Sequence, residues 1–390
     1  MTKPVLIKGA MAVDAGGARS ADILLSGNAI RAVGDVPAGD YEVITANGRF
    51  IAPGLIDCHV HLVNDAGGDV TSPVRRSEAE LALLALVNAQ KDLEAGVTTM
   101  RDTGGYKFVE VAVRDAINRG TVPGPHLFTS GHFLTMTGGH GYFMGREADG
   151  VDDLRKAARE QLKARTDWLK IMATGGVAGP GADPNVSQMT VEEVRAVVEE
   201  GRKAGKLTAA HAHGAAGIEA AVEGGVASVE HGTYLTEELA ERMEHKGTFL
   251  IPTAVALRSI VEGGALQNMP VETVRKAEAA VKKHREAVMR AVAKGVLIAL
   301  GTDVGSPFNE HGQNARELEI LVEYGMTPEH VLKAATLNAA RLLRVDTRVG
   351  LVKPGMGADL LILDRNPLED ISAFRTGLKK VIHGGTVIDL

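Results

Sequence analysis

Residues 290–303, RAVAKGVLIALGTD, join a charged helical pattern to a short apolar run through Gly295. A glycine at such a junction closes a helix in the left-handed conformation, and an apolar run without alternation is a strand buried on both faces. The same junction recurs in KDLEAGVTTM (91–100), EGRKAGKLTAAH (200–211), AAVEGGVASVEH (220–231) and RMEHKGTFLIP (242–252), at Gly96, Gly205, Gly225 and Gly247. Amphipathic stretches such as 191–203 and 236–245 separate these runs, so strand and helix alternate with crossovers that suit parallel pairing. Candidate strands begin near Leu55, Val97, Pro125, Asp167, Leu207, Val226, Thr248 and Val296, which makes the eight that a (β/α)8 TIM-like barrel requires. A doubly wound sheet uses the same units and is the weaker reading.

The ends differ from the middle. VLIKGAMAV, DILLSGNAIRAVG and YEVITANGRFIAPG at the start, then DLLILDR and KKVIHGGTVIDL at the finish, are short β runs broken by SGN, NG and GG turn signals. They predict a small composite β-sandwich domain built from both termini, residues 1–53 and 350–390, around an α/β barrel over 54–349.

Composition narrows the function classes. Apolar residues are 45% and charged residues 24% of the 390, near the globular average, which excludes disorder as the main state. Lys plus Arg number 43 against 49 Asp plus Glu, a net charge of −6, so a nucleic-acid backbone finds little to bind; aromatics at 4% leave few platforms for stacked bases. The single cysteine, Cys58, excludes an internal disulfide framework and a cysteine-based zinc site. The opening MTKPVLIKGAMAVDAGG has no signal-like apolar core and no run of 18 apolar residues follows, so the expectation is a soluble cytoplasmic protein with no membrane partner.

GLIDCHVHL (54–62) sets His59 and His61 two apart on a strand, so both imidazoles share one side, with Cys58 and Val60 packed on the other. H-x-H alone is weak; partners on other strand ends give it force. Lys170 in TDWLKIMATGG, His211 in LTAAHAHG, His231 in ASVEHG and Asp303 in LIALGTDVG each sit at the C-terminal end of a candidate strand, the face where such barrels build active sites.

The order H-x-H, Lys, His, His, Asp resembles the amidohydrolase superfamily of metal-dependent hydrolases over the whole chain, including the terminal GLVKPGMGADLLILD run. The IMATGG, AHAHG, VEHGTYL and GTD segments look like its Xaa-Pro dipeptidase-like and imidazolonepropionase-related branch. The resemblance implies two divalent metal ions, with zinc as the default and cobalt, manganese or iron accepted, held by His59, His61, Lys170, His211, His231 and Asp303. Lys170 would be carboxylated on Nζ, a carbamate (N6-carboxylysine) that bridges the ions and turns a costly buried cation into a bidentate anion.

With the carbamate, Asp303 and a bridging hydroxide set against two ions, the filled site carries about +1 and attracts an anionic substrate group. The implied chemistry is attack of the bridging hydroxide on an amide bond next to a free carboxylate, in a dipeptide or an N-acyl amino acid, with Asp303 as proton shuttle. Carbamate, phenylurea or cyclic amide hydrolysis is the rival, and a noncatalytic scaffold the remaining one.

Around this core, the resemblance makes His211 the ligand and His213 either a support behind the ligands or a substrate contact. Tyr234 is expected to stabilise the oxyanion. In SGHFLTMTGGHGYFMG (130–145), which also offers His132, His140 with Tyr142 is expected to meet the substrate carboxylate. TGGVAGPGADP (174–184) lacks the Lys-Ser or Lys-Thr of a phosphate loop and reads as a mobile strand-to-helix loop that closes over the substrate. A small-molecule substrate and self-association into a homo-oligomer complete the expectations.

Overall fold

The computed structural model describes residues 3–177, 183–266, 269 and 271–388. From the N-terminus come β1 (Val5–Asp14), β2 (Gly17–Ser26), β3 (Ala29–Gly34), β4 (Glu42–Thr45) and β5 (Phe50–Pro53). Then β6 (Leu55–Val60), α1 (Glu78–Glu94), β7 (Val97–Asp102), α2 (Val109–Asn118) and β8 (His126–Thr129) alternate. After the short β9 (Leu134–Thr135) and β10 (Arg146–Glu147) the alternation resumes with α3 (Gly150–Lys163), β11 (Trp168–Met172), α4 (Val191–Lys203), β12 (Leu207–Ala212), α5 (Ala215–Gly224) and β13 (Ser228–His231). It continues through α6 (Glu237–Lys246), β14 (Phe249–Ile251), α7 (Ala254–Leu266) and α8 (Val271–Ala293), and the chain ends with α9 (Arg316–Tyr324), β15 (Leu360–Leu363), β16 (Leu378–His383) and β17 (Thr386–Ile388).

The junction glycines behave as their sequence context requires. α5 and α6 both end on a left-handed glycine, Gly225 (φ 92°) and Gly247 (φ 67°), whose N–H groups return to carbonyls of the last turn. A residue with a Cβ would resist that conformation. Gly96, Gly205 and Gly295 also have positive φ. At the other ends, Thr190 and Glu193 form a reciprocal capping box on α4, and the Thr236 hydroxyl accepts the Leu239 N–H to start α6.

The chain divides into two compact units. One comprises Met1–Asp57, Gln90–Thr99 and Gly312–Leu390. Within it both termini contribute to one eight-stranded sheet, ordered β17-β16-β15-β5-β1-β2-β3 with β4 on β1. β5 bridges the two ends of the chain: it runs parallel to β1 and antiparallel to β15, with Ala52 opposite Leu361. Ile7, Ile23, Ile51, Val352, Leu360 and Ile382 share its apolar core.

The other unit comprises Cys58–Ala89 and Met100–His311. Here β11, β12, β13 and β14 are parallel neighbours in sequence order. Leu250 N–H donates to Leu297 O and Ala299 N–H to Leu250 O, which attaches the segment after Gly295 to β14. Cys58 N–H then donates to Leu300 O and His61 N–H to Val304 O, attaching the same segment to β6. β6, β7 and β8 form a further sheet, and Asp167 N–H donates to Thr129 O, so backbone bonds pass from β8 toward β11. The segment after Gly295 makes only single bridges, Leu250 to Ile298 and Val60 to Val304. Among the described residues no helix is long and apolar enough to cross a membrane.

Candidate active site

β6 delivers His59 and His61 as the alternation requires, and Cys58 is fully buried. Nε2 of His59 and of His61 lie 3.5 and 3.3 Å from Asp303 Oδ1. The Nδ1 atoms point away: His59 Nδ1 donates to Glu230 Oε2 at 2.6 Å and His61 Nδ1 to the Gly104 carbonyl at 3.0 Å. A carboxylate and a carbonyl can only accept here, so each Nδ1 carries a proton and Nε2 is the ring atom that each histidine turns to Asp303.

A second group comes from β12 and β13. His211, His213 and His231 bring ligand-capable atoms within 4.8 Å of one another, as do His59, His61 and Asp303. His211 Nε2 donates to the Gly175 carbonyl at 3.1 Å. His231 Nδ1 meets Thr253 Oγ1 at 2.6 Å, a hydroxyl that also lies 2.6 Å from the Pro252 carbonyl. His211 Nδ1 and His231 Nε2 face each other at 2.9 Å. His213 Nδ1 meets Thr233 Oγ1 at 2.7 Å, and its ring stacks on His231 at 4.6 Å.

Charges follow from burial. Burial and then the Lys170 cation lower His59 to about 4, and burial first brings His213 to about 3 and His211 and His231 well below the usual histidine range. At His61 burial pulls the same way, but the Asp303 carboxylate outweighs it and the value is raised. Burial works against the Asp303 charge, and His59, His61 and Lys170 overcome it, so its carboxyl sits below the usual range. Lys170, fully buried in β11, is lowered to about 8 by burial first, with Glu230 and Asp303 opposing. His231 (φ 70°), Thr253 (φ 54°) and Asp303 (φ 59°) hold left-handed backbone at strand ends, strain of the kind that gathers at functional sites.

Four imidazoles thus turn ring nitrogens toward one another and toward one carboxylate, with at most one proton shared across the His211–His231 contact. Nitrogen donors with a carboxylate suit first-row divalent metals. Both groups and Lys170 line one open cavity, with His140, Tyr142, Gln188 and Ser306 also on its wall.

A family model described as the amidohydrolase family matches residues 50–388. The chain belongs to that family. Its members are metal-dependent, and this chain is a hydrolase acting on amide bonds. It is 34% identical over 394 aligned residues to ochratoxinase of Aspergillus niger, covering 92% of this chain and 80% of that one. The crystal structure of that ochratoxinase superposes with a TM-score of 0.87 at 32% identity, covering 99% of this chain and 95% of that one. A Xaa-Pro dipeptidase crystallised with methionine in its active site gives 0.91 at 32% identity, covering 99% and 100%. A prolidase in complex with N-methylphosphonate-L-proline gives 0.91 at 30% identity, covering 99% of each chain.

Most of the residues expected at an amidohydrolase site come together. His140 stacks on the His211 ring at 4.4 Å, its backbone N–H donates to Gln188 Oε1, and burial lowers its imidazole to about 4. Tyr142 stands at the rim, 44% exposed. Two are not brought to the cavity wall. Tyr234 is half-buried with its backbone N–H on the His213 carbonyl, and His132 donates from Nδ1 to the Met144 carbonyl. Residues 178–182 of the expected closing loop lie outside the described residues.

The structure also adds residues that pattern reading passed over. Glu230, fully buried, holds His59 and is itself held by Arg101 Nη2 at 3.0 Å and by the Ser228 hydroxyl at 2.5 Å. Burial works against its charge, but Arg101 and His59 keep it well below the usual carboxylate range. Arg101 donates through Nε to the Cys58 carbonyl and lies 4.5 Å over the Trp168 ring. Because Arg101 balances Glu230, this pair adds no net charge beside the donors.

Proposed function

We propose that this chain hydrolyses an amide bond next to a free carboxylate, in a dipeptide or an N-acyl amino acid, at a binuclear site built on a (β/α)8 barrel. Residues 54–349 would form that barrel, and residues 1–53 and 350–390 its composite β-sandwich companion. The observation that carries the reading is the two ligand-capable groups, the facing ring nitrogens of His211 and His231 and the set of His59, His61 and Asp303, in one cavity with Lys170. His59, His61 and Asp303 would hold one divalent ion, His211 and His231 a second, and a carboxylated Lys170 would bridge them. Zinc is the default, with cobalt, manganese or iron as alternatives. The ions supply Lewis acidity, polarising the amide carbonyl and making a bound water more acidic.

The residues do the rest. Burial leaves part of the Lys170 amine uncharged near neutral pH, the form whose Nζ lone pair can attack carbon dioxide to give a carbamate with release of one proton. Asp303, kept ionised, accepts the proton of the attacking water and hands it to the leaving nitrogen. His140, uncharged in its stack, and Tyr142 at the rim offer hydrogen bonds to the substrate carboxylate, and His213 backs His231. Tyr234 reaches the carbonyl oxygen only if its side chain turns from its half-buried place. Relatives named for dipeptides and for a proline phosphonate complex support the carboxylate requirement.

The test is turnover of dipeptides and N-acyl amino acids by metal-loaded protein, beside the same compounds amidated at the carboxylate. The free acids should be preferred about 10-fold or more. Equal rates on acid and amide, or turnover confined to carbamates and phenylureas, would move the assignment to that rival chemistry.

A further inference from the structure

The cavity has a chemical character of its own beyond the donor groups. Among the described residues that line it, Lys170 is the only lysine, Asp303 the only carboxylate, and there is no arginine. Both ionisable groups are already committed to the centre. Away from it the wall carries only uncharged polar groups such as Gln188 and Ser306, and one stretch of it is apolar and organised.

Thr253, whose hydroxyl holds His231, immediately precedes α7, and Leu257 and Ile260 follow on one face of that helix, three residues apart. At 1.5 Å per residue they lie roughly 6 and 10 Å along the helix from Thr253. Val177, also on the wall, and, from α8, Ala277 and Ala280 complete one buried apolar cluster with them. Leu257 and Ile260 are only 5% and 4% exposed, so this wall is packed in place before any ligand arrives.

Elsewhere in the cavity Phe133 is fixed just as firmly. A Cβ at Gly104 would fall 2.5 Å from its ring, and one at Gly141 2.6 Å, so glycine backbone is packed directly on the aromatic face. Met144 and Met172, adaptable side chains, are also on the wall.

We propose that at least one group flanking the scissile amide is large, uncharged and apolar, an aromatic or long aliphatic side chain seated on Leu257 and Ile260. This rests on the amide-hydrolase reading of the same site. A charged side chain entering here would lose its hydration and meet no counter-charge, because the cavity offers none outside the centre. A side chain as short as that of alanine would leave the Leu257 and Ile260 side of the cavity, which begins roughly 6 Å along α7 from Thr253, without a partner.

The experiment uses metal-loaded full-length protein and two series: N-acetyl amino acids with glycine, alanine, leucine, phenylalanine, lysine or glutamate as the amine, and leucine acylated with acetyl, hexanoyl, benzoyl or succinyl groups. In at least one series kcat/KM should rise by ~10-fold or more from the smallest to the large apolar member, and fall ~100-fold or more for the charged ones. Ile260→Ala and the gentler Ile260→Val should shrink the ratio of large apolar to small substrate, alanine by ~10-fold and valine by less. Flat profiles in both series, or charged members preferred, overturn the proposal while leaving amide hydrolysis intact.

If no amide is turned over, the hydrolase reading fails and this one is judged on binding. Calorimetry with 4-phenylbutyrate, glutarate and 6-aminohexanoate should then show the phenyl acid bound ~10-fold or more tightly, with Ile260→Ala removing that margin. Equal or absent binding of the three overturns it.

Discussion

The two histidine groups use the same side chain and are supported in different ways. His59 and His61 sit against charge: Asp303 on one side, the Glu230 and Arg101 pair behind His59, and Asp102 behind the Gly104 carbonyl that holds His61. His211 and His231 are held by a carbonyl and a hydroxyl, with no carboxylate among the hydrogen-bond partners of either ring in the described residues. The chain therefore fixes one pair of rings with ionised partners, whose strength in a dry interior is large but which must all be present, and the other with neutral dipoles that cost little to bury. Removing a support should have unequal consequences in the two regions.

The largest effect is expected where a centre residue itself is changed. Asp303→Asn keeps the shape but not the base, and turnover should fall by roughly 10²-fold or more. Lys170→Ala should likewise abolish turnover and lower the metal content measured by elemental analysis after loading. A Lys170→Ala protein with normal turnover would falsify the bridging role.

Next in size is Glu230→Gln. It leaves an acceptor for His59 but takes the counter-charge from the buried Arg101, and supporting partners of this kind are worth roughly 10- to 100-fold in metal affinity. Titration against a chelator should show the charge-supported half of the centre weakened and the neutral half nearly unchanged. Glu230→Asp, which restores the charge, should recover part of the loss. Equal weakening of both halves would dissolve the contrast between them. Thr253→Ala is the matching change in the neutral region: it removes one hydroxyl under His231, and a loss of affinity below about 10-fold is expected.

The contrast also separates what was legible from what was not. His59, His61, Lys170, His211, His231 and Asp303 stood out because each is polar at the end of an apolar run, and the strand count put those ends on one face. Glu230 did not, for a physical reason. Strict alternation sends Glu230 and His231 to opposite faces, so a reading that turns His231 inward turns Glu230 away. The left-handed backbone of His231 breaks the alternation, and both side chains reach the site. Arg101 was readable only as an oddity, a cation in the buried VTTMRD strand, because its partners Glu230 and Ser228 are more than a hundred residues away in sequence. Tyr234 failed to reach the cavity wall because proximity to His231 in sequence says nothing about where a side chain turns after the strand ends.

The smallest effect on turnover is expected at Glu110, and it isolates the charged character of the first region. Its carboxyl is raised to about 8, by burial first and by the Asp102 charge second, and among the described residues no side chain donates a hydrogen bond to either oxygen. Asp102, by contrast, accepts the Leu62 and Gly104 N–H groups, so of this pair Asp102 is the one equipped to hold the charge and Glu110 the proton. A carboxyl whose folded value lies above its unfolded one binds a proton in the folded state that the unfolded chain has already released. Its contribution is therefore full below the unfolded value of about 4.5 and is lost as pH rises toward about 8, with a slope of at most about 1.4 kcal/mol per pH unit. Glu110→Gln copies the protonated form, so the variant should match the parent near pH 4.5 in denaturant unfolding and exceed it increasingly up to pH 8, while turnover at pH 7 changes less than about twofold. A parent and variant with parallel stability profiles would mean that Glu110 stays ionised in the fold, and the charged network behind His61 would then have to accommodate a second buried anion.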